Sequence, residues 1–381
     1  APANGERVLH DPEEMVARVV RSIADFGPLT EILRRSGIEE IFIEGDRVAY
    51  IDESGKLRQL TGAVSEAENR HIIERLLAAS DRRLDASSPI VQARVLDGTA
   101  RLTAVIPPVA DRLSATVRRY AIRRQTLPTL VELGSLSRPA AGLLWAAAQI
   151  PSRVVVSGPP GSGKTSLLSA MLAAAPPTQC VRCCEEVREL FVPLTHGSFY
   201  EARPASLDGT GEVDLRDLVK VVLAMRPDRI VIGEVRGAEA FELTRAVNAG
   251  CGFSVTVHAN SAADALNALV NAAIMAGENV PDTVVRRIFA SSIDLVVQLD
   301  RDDIPGDGGL RRRVVEILAM VPALTDDDFS TEPIFVRPDM GSELTWTGRL
   351  PPPPLADRLD AALRHLGFDT PAVLSGTAAP L

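Results

Sequence analysis

Between residues 153 and 176 the chain spells out a strand, a glycine-rich turn and a helix in immediate succession, and no other feature constrains its fold as tightly. The apolar stretch Val154-Val155-Val156 runs into Gly158-Pro159-Pro160-Gly161-Ser162-Gly163-Lys164-Thr165, which fits the G-x-x-x-x-G-K-[ST] pattern of a phosphate-binding loop. Ser166 to Leu172 reads as the following helix, broken at Pro176-Pro177. The glycines permit torsions and close approaches that a side chain would block, so successive N–H groups turn inward toward phosphate oxygens. The helix adds its positive end. Lys164 is one of three lysines, with Lys56 and Lys220; it is expected to reach the β- and γ-phosphates while the Thr165 hydroxyl completes a magnesium shell. The expected triphosphate contacts are therefore Gly158, Gly161, Ser162, Gly163, Lys164, Thr165 and Ser166.

At 381 residues the chain is long for one domain. The hydrophobic fraction of 46% supplies a sizeable core, and a net charge of −9 argues against a broad nucleic-acid-binding face. No apolar run reaches the roughly 18 residues of a membrane span. The best stretch, Leu143 to Val156, contains Pro151 and Arg153, so a soluble chain is expected. Cysteines at 180, 183, 184 and 251 lack the second spaced pair of a zinc site and read as small apolar fillers on a strand.

Apolar residues Met15, Val16, Val19, Val20 and Ile23 predict a helix over Pro12 to Phe26, and Pro28 to Arg35 predicts another. Ile41 to Ile43 and Val48 to Ile51 read as hairpin strands, Glu66 to Ala79 as a helix, and Val91 to Val95, Ala100 to Ile106 and Ser114 to Tyr120 as further strands. The expectation is an N-terminal α+β domain over 1–125, joined through Leu127-Pro128-Thr129 to a second domain over 126–381. That second domain alternates strands and helices, the pattern of a parallel sheet covered by helices. Beyond residue 300, Val314 to Met320 and Ile334 to Val336 stand between acidic and glycine-rich turns, and Pro351 to Pro354 leads to a last helix, Leu355 to Leu366.

A nucleotide site of this kind needs acids at the carboxyl edge of the sheet. Arg229-Ile230-Val231-Ile232-Gly233-Glu234 is an apolar strand ending in Glu234, placed to meet magnesium and the attacking water. Glu185, Glu186 and Glu189 follow another core strand, and His258 ends the strand Phe253 to Val257.

Taken in order, Gly158 to Thr165, Glu185-Glu186-x-x-Glu189-Leu190, Met225-Arg226-Pro227-Asp228-Arg229-x-x-x-Gly233-Glu234-Val235-Arg236-Gly237 and Thr256-x-His258-Ala259-Asn260 closely resemble the type II/type IV secretion ATPase superfamily. Within it the chain looks most like the CpaF-type, or TadA, ATPases of tight-adherence (Flp) pili, with conjugation-type secretion ATPases as the alternative and a low-turnover nucleotide-dependent scaffold as a third reading. The missing paired Cys-x-x-Cys insertion separates it from the type II secretion and type IV pilus branches. In the first domain, Glu40 to Gly45, Arg101 to Pro108 and Thr116 to Arg119 match the family's sensor-like domain.

The resemblance implies an α/β fold, a RecA-like P-loop ATPase domain with a smaller N-terminal α+β domain, that assembles as a hexameric ring and hydrolyses ATP with Mg2+. It implies a cytoplasmic protein, peripheral at the inner face of the membrane, working on inner-membrane platform proteins with no direct nucleic-acid contact. By resemblance Glu234, Glu185, Glu189, His258 and Arg236 are the catalytic set, Thr165, Glu186 and Glu234 hold the metal partly through water, and Arg101, Arg118 and Arg203 face the nucleotide. Arginine's forked, permanent cation suits that task. The chain departs from the family in having Glu186 where Asp is common, Glu44 where Asn is frequent, and no histidine after Gly250.

Overall fold

The computed structural model describes residues 26–381 except 36, 39, 53–55, 62–63, 81, 120–124, 206–208 and 305–308. The helical stripe expected between Met15 and Ile23 lies outside these residues. The chain divides into two compact units, Ala1–Ala121 and Ile122–Leu381.

The first unit is built on six antiparallel-paired strands: β1 (Glu40–Glu44), β2 (Arg47–Ile51), β3 (Leu57–Gln59), β4 (Ile90–Val95), β5 (Ala100–Val105) and β6 (Ser114–Arg119), in the order β3-β2-β1-β6-β5-β4. Strict alternation of burial along β5 puts Ala100, Leu102 and Ala104 inside, as expected of a sheet with one face on a core. Helix Glu66–Leu77 covers that face with Ile72, Ile73, Leu76 and Leu77, and Ser65 caps it by accepting from Glu68 N.

Among the described residues the second unit carries nine strands: β7 (Arg153–Gly158), β8 (Val181–Glu185), β9 (Gly197–Glu201), β10 (Arg229–Ile232), β11 (Gly252–His258), β12 (Leu295–Ile304), β13 (Gly309–Thr325), β14 (Asp328–Val336) and β15 (Thr345–Trp346). Their order is β15-β14-β13-β12-β7-β11-β10-β8-β9. The pairs from β12 through β7, β11, β10 and β8 to β9 are parallel, and β13 to β15 add antiparallel edge strands. Both faces of the parallel part are buried. Val154 and Val156 join a core with helix Arg138–Gln149, whereas Val155 points to the opposite core with Phe253, Val255 and Val257. Each such side chain contributes about 1.5–3 kcal/mol relative to exposure, and the one polar residue between these valines and the glycine turn, Ser157, is buried with its hydroxyl donating to Gln298 Oε1.

Leu127-Pro128-Thr129, read as a junction, instead opens helix Leu127–Glu132. Proline's fixed torsion suits a first helical turn, and the Thr126 side chain caps it by accepting from Thr129 N at 3.3 Å. The strand expected at Val314 to Met320 is the middle of the much longer β13, because antiparallel pairing with β12 extends through the charged residues that break the apolar pattern.

Two buried polar residues tie the layers together. Arg229 is 1% exposed and donates to Ile150 O at 2.6 Å, Ala148 O at 3.3 Å and Ser254 Oγ at 3.1 Å. It thus satisfies carbonyls at the end of helix Arg138–Gln149, where cations are favoured; burial lowers its pKa to about 10, leaving it charged at neutral pH. Asp294 accepts from Arg153 N and from both Nη atoms of Arg358 at 2.7 and 3.1 Å, fastening helix Pro353–Leu363 beneath the sheet; the helix expected to be the last, Leu355 to Leu366, is instead followed by another, Thr370–Ser375, capped by Asp369.

Candidate functional site

β7, β11 and β10 are neighbours that end at the same edge of the sheet, so Gly158, His258 and Glu234 emerge together. The turn after β7 is tight. A Cβ at Gly158 would lie 2.5 Å from Leu299 O and 2.6 Å from Ser162 Oγ, and Gly161 and Gly163 adopt φ of +75° and +95°. These torsions favour glycine strongly. Helix Lys164–Ala173 then starts with no side-chain cap and no acid in its first turn, and Thr165 and Ser166 stand half-buried there.

Lys164 is folded back over the turn. Its Nζ donates to Gly158 O at 2.9 Å and Pro159 O at 3.1 Å, and meets His258 Nδ1 at 3.3 Å. An ammonium only donates, so Nδ1 accepts and the His258 proton belongs on Nε2. That nitrogen pairs with Glu234 Oε1. Glu234 Oε2 accepts from Arg236 Nη2 at 2.6 Å, and Arg236 Nη1 lies 3.6 Å from Glu186 Oε2. The hydrogen bond to Glu234 raises the Arg236 pKa further. A continuous polar chain, Lys164–His258–Glu234–Arg236–Glu186, therefore runs from the glycine turn across two strand ends.

Glu185 sits apart from that line. It is 3% exposed, and its Oε1 accepts from Glu189 N and Leu190 N, each at 3.0 Å. Burial raises its pKa from 4.5 to about 7, against the lowering effect of the two N–H donors. Glu185 therefore holds its own loop, with Cγ 2.7 Å from where a Gly233 Cβ would stand. Glu189 is half-buried and Glu186 exposed. Cys183 and Cys184 are buried on β8, where burial pushes both thiols up, Cys184 to about 12; they pack as apolar residues.

Three other cations, Arg101, Arg118 and Arg203, were expected to face the nucleotide. Arg203 is exposed in an isolated bridge with Val213. In the first unit, register aligns Arg94, Arg101, Arg118 and Glu40 in a row across β4, β5, β6 and β1. Arg101 donates to Gln92 Oε1 at 2.8 Å, and Arg118 pairs with Glu40 at 3.8 Å.

Two supporting residues escaped the sequence reading. Glu239 is buried and accepts from the backbone N–H groups of Arg236 and Gly237 at 2.6 and 2.8 Å, fixing the turn after Glu234. Gln298 accepts from Ser157 Oγ at 2.5 Å and donates to Ala259 O at 3.3 Å, tying β12 to the loop strand and to the residue after His258. A polar residue inside an otherwise apolar strand was the available signal for Gln298.

A nucleotide suits this turn. Ser162 Oγ is buried with no hydrogen-bond partner among the described residues, the glycines leave room only for backbone, and the helix start is uncapped. No group of three or more His, Cys, Asp or Glu able to hold a metal occurs among the described residues. Magnesium bound mainly by phosphates, a hydroxyl and waters asks for no such cage.

Comparison with known proteins identifies the family. The Type II/IV secretion system protein family matches residues 22–305, and the chain belongs to that family. A Mycobacterium tuberculosis protein named for conjugal transfer is 34% identical, over 77% of this chain and 84% of that protein. The type IV secretion system protein PtlH of Bordetella pertussis is 32% identical, over 75% of this chain and 91% of PtlH. Conjugal transfer protein TrbB of Rhizobium radiobacter is 28% identical, over 79% and 90%. Among solved structures, the pilus retraction motor PilT with bound ADP aligns with a TM-score of 0.56 at 18% identity, over 78% of this chain and 84% of that one. The ATPase DotB of Legionella pneumophila aligns with 0.53 at 16%, over 98% and 88%. These likenesses establish the fold: a RecA-like α/β ATPase domain with a smaller N-terminal domain.

Proposed function

We propose that this chain is a motor ATPase of conjugation-type type IV secretion, hydrolysing ATP to ADP and phosphate. The observation that carries the ATPase reading is the polar chain from Lys164 through His258 to Glu234, at the carboxyl edge of adjacent strands and against the glycine turn. The names of the relatives at 28–34% identity favour conjugation-type secretion over the tight-adherence pilus that the motif order first suggested.

In this reading the N–H groups of Gly161 to Thr165 and the uncapped helix start hold the phosphates. Lys164 exchanges its carbonyl partners for phosphate oxygens. Glu234 orients the attacking water and takes up its proton as general base, with Arg236 hydrogen-bonded to its Oε2. His258 lies between Lys164 and Glu234, so a phosphate that draws Lys164 away alters the hydrogen bond facing the acid. Bound magnesium would neutralise charge on the phosphate oxygens, held by Thr165 and, through water, by Glu234 and Glu186. Glu185 and Glu189 position the loop after β8. Arg101, Arg118 and Arg203 are proposed to neutralise phosphate charge in an assembled hexameric ring. The ring would work at the inner face of the membrane against platform proteins.

Phosphate release from Mg-ATP by the purified chain tests the chemistry. Lys164→Ala and Glu234→Gln are each expected to lower turnover by at least about a hundredfold, the scale of a lost general base or phosphate cation. Turnover unchanged in both variants overturns the reading.

A further inference from the structure

β7 and β12 pair in parallel only as far as Ser157↔Gln298. Beyond that point β12 continues past the end of β7 as a hairpin arm with β13, alongside the glycine turn. Leu299 pairs with Val314, Asp300 with Arg313, Arg301 with Arg312 and Asp302 with Arg311. Alternation sorts these pairs by face. One face sets opposite charges across from each other, Asp300 with Arg313 and Asp302 with Arg311, the arrangement that stabilises paired strands. The other face turns to the phosphate loop: Leu299 Cδ2 lies 3.9 Å from where a Gly163 Cβ would stand, Arg312 Cδ lies 3.7 Å from the same point, and Arg301 Nη1 lies 2.9 Å from where a Gly161 Cβ would stand. On that face two arginines stand directly opposite each other. A like-charge cross-strand pair is unfavourable by itself, and here it adjoins the turn built to receive an anion.

We propose that Arg301 is a phosphate-contacting residue of this site, reaching over Gly161 to the phosphate chain of a nucleotide bound in the same subunit, with Arg312 adding positive charge beside Gly163. The proposal rests on the nucleotide reading of the loop. Arginine suits the position because its planar fork donates two hydrogen bonds to one phosphate. Glycine at 161 is favoured by its positive φ, and a side chain there would have to push the flexible guanidinium end of Arg301 aside. The hairpin also makes the site sensitive to the register of β12 against β13, whose shift between Gln298 and Leu299 lies immediately before the arm.

Binding of ADP, a non-hydrolysable ATP analogue and adenosine to the full chain, with magnesium, tests this by calorimetry. Arg301→Ala is expected to weaken ADP and the analogue about tenfold to a hundredfold, the range of a lost charge-assisted hydrogen bond, and to leave adenosine within about twofold. It is also expected to make the salt dependence of the analogue's affinity shallower. Arg301→Lys, which keeps the charge and the hairpin, should recover part of the loss. Trp145 and Trp346 fluorescence checks that the fold is intact in each variant. Unchanged ADP and analogue affinity in Arg301→Ala, or an equal loss for adenosine, overturns the proposal. Lys164→Ala separates the two levels: if it binds ADP like the parent chain, the nucleotide reading fails, whereas if it loses ADP while Arg301→Ala does not, only the role of Arg301 fails.

Discussion

Gly233→Ala is the most informative single change in this chain, because the position couples the buried acid that ends β8 to the half-buried acid that follows β10. A Cβ there would stand 2.7 Å from Glu185 Cγ, 3.1 Å from its Oε1 and 3.3 Å from its Cδ, where carbon contacts are comfortable only near about 3.5–4.0 Å. Glu185 has no easy way to yield. It is buried, and its carboxylate is held by Glu189 N and Leu190 N. Overpacking of this kind costs about 1–3 kcal/mol; if the carboxylate swings away instead, each orphaned N–H costs about 1–3 kcal/mol. The expected loss is therefore about 2–4 kcal/mol.

The assay is built into the chain. Its two tryptophans, Trp145 and Trp346, both lie in the second unit, so their fluorescence in a urea titration follows that unit alone. Glu185→Ala removes the obstructing atoms, and on that background Gly233→Ala should cost less than about 1 kcal/mol. The double-mutant cycle should thus show a coupling of about 1–3 kcal/mol. Additive effects would refute the close contact between Glu185 and position 233.

Two further outcomes follow from buried charges. Arg229→Met removes the donors to Ile150 O and Ala148 O; two orphaned carbonyls at about 1–3 kcal/mol each, partly offset by losing a buried cation, give a net loss of about 2 kcal/mol, and an unchanged urea midpoint would show that the helix end is satisfied otherwise. Glu185 titrates near 7 when folded against 4.5 ordinarily, so between those values the folded unit binds more protons and its stability falls as pH rises, by up to about 3 kcal/mol. Glu185→Gln keeps an acceptor for the loop and should remove that slope; identical pH profiles for the two proteins would contradict it.

The parts of the site that are contiguous in sequence could be read from it. The run from Val154 to Leu172 encodes strand, turn and helix through local rules alone, and Glu234 and His258 announced themselves as polar ends of apolar strands. Residues whose meaning lies in distant partners stayed hidden. Arg229 serves a carbonyl 79 positions away, and Gln298 meets Ser157 across 141. The hairpin beyond residue 299 was hidden for another reason: its strands are held by backbone pairing and cross-strand charge, so they carry no apolar rhythm to read. Glu185 shows the limit of residue type, since a carboxylate in an acidic run looks the same whether it faces solvent or is buried under its own loop.

The bonds of Lys164 carry one consequence for selectivity. Its ammonium rests on two carbonyl oxygens of its own turn and on His258, so in the proposed reading phosphate binding would trade these hydrogen bonds for new ones. The gain left over depends on how much more negative the incoming oxygens are than an amide carbonyl. A weakly charged ligand leaves the lysine where it is, and a strongly charged one takes it. In the proposed reading the turn would work as a threshold on ligand charge, and each crossing of that threshold would remove the lysine partner of His258.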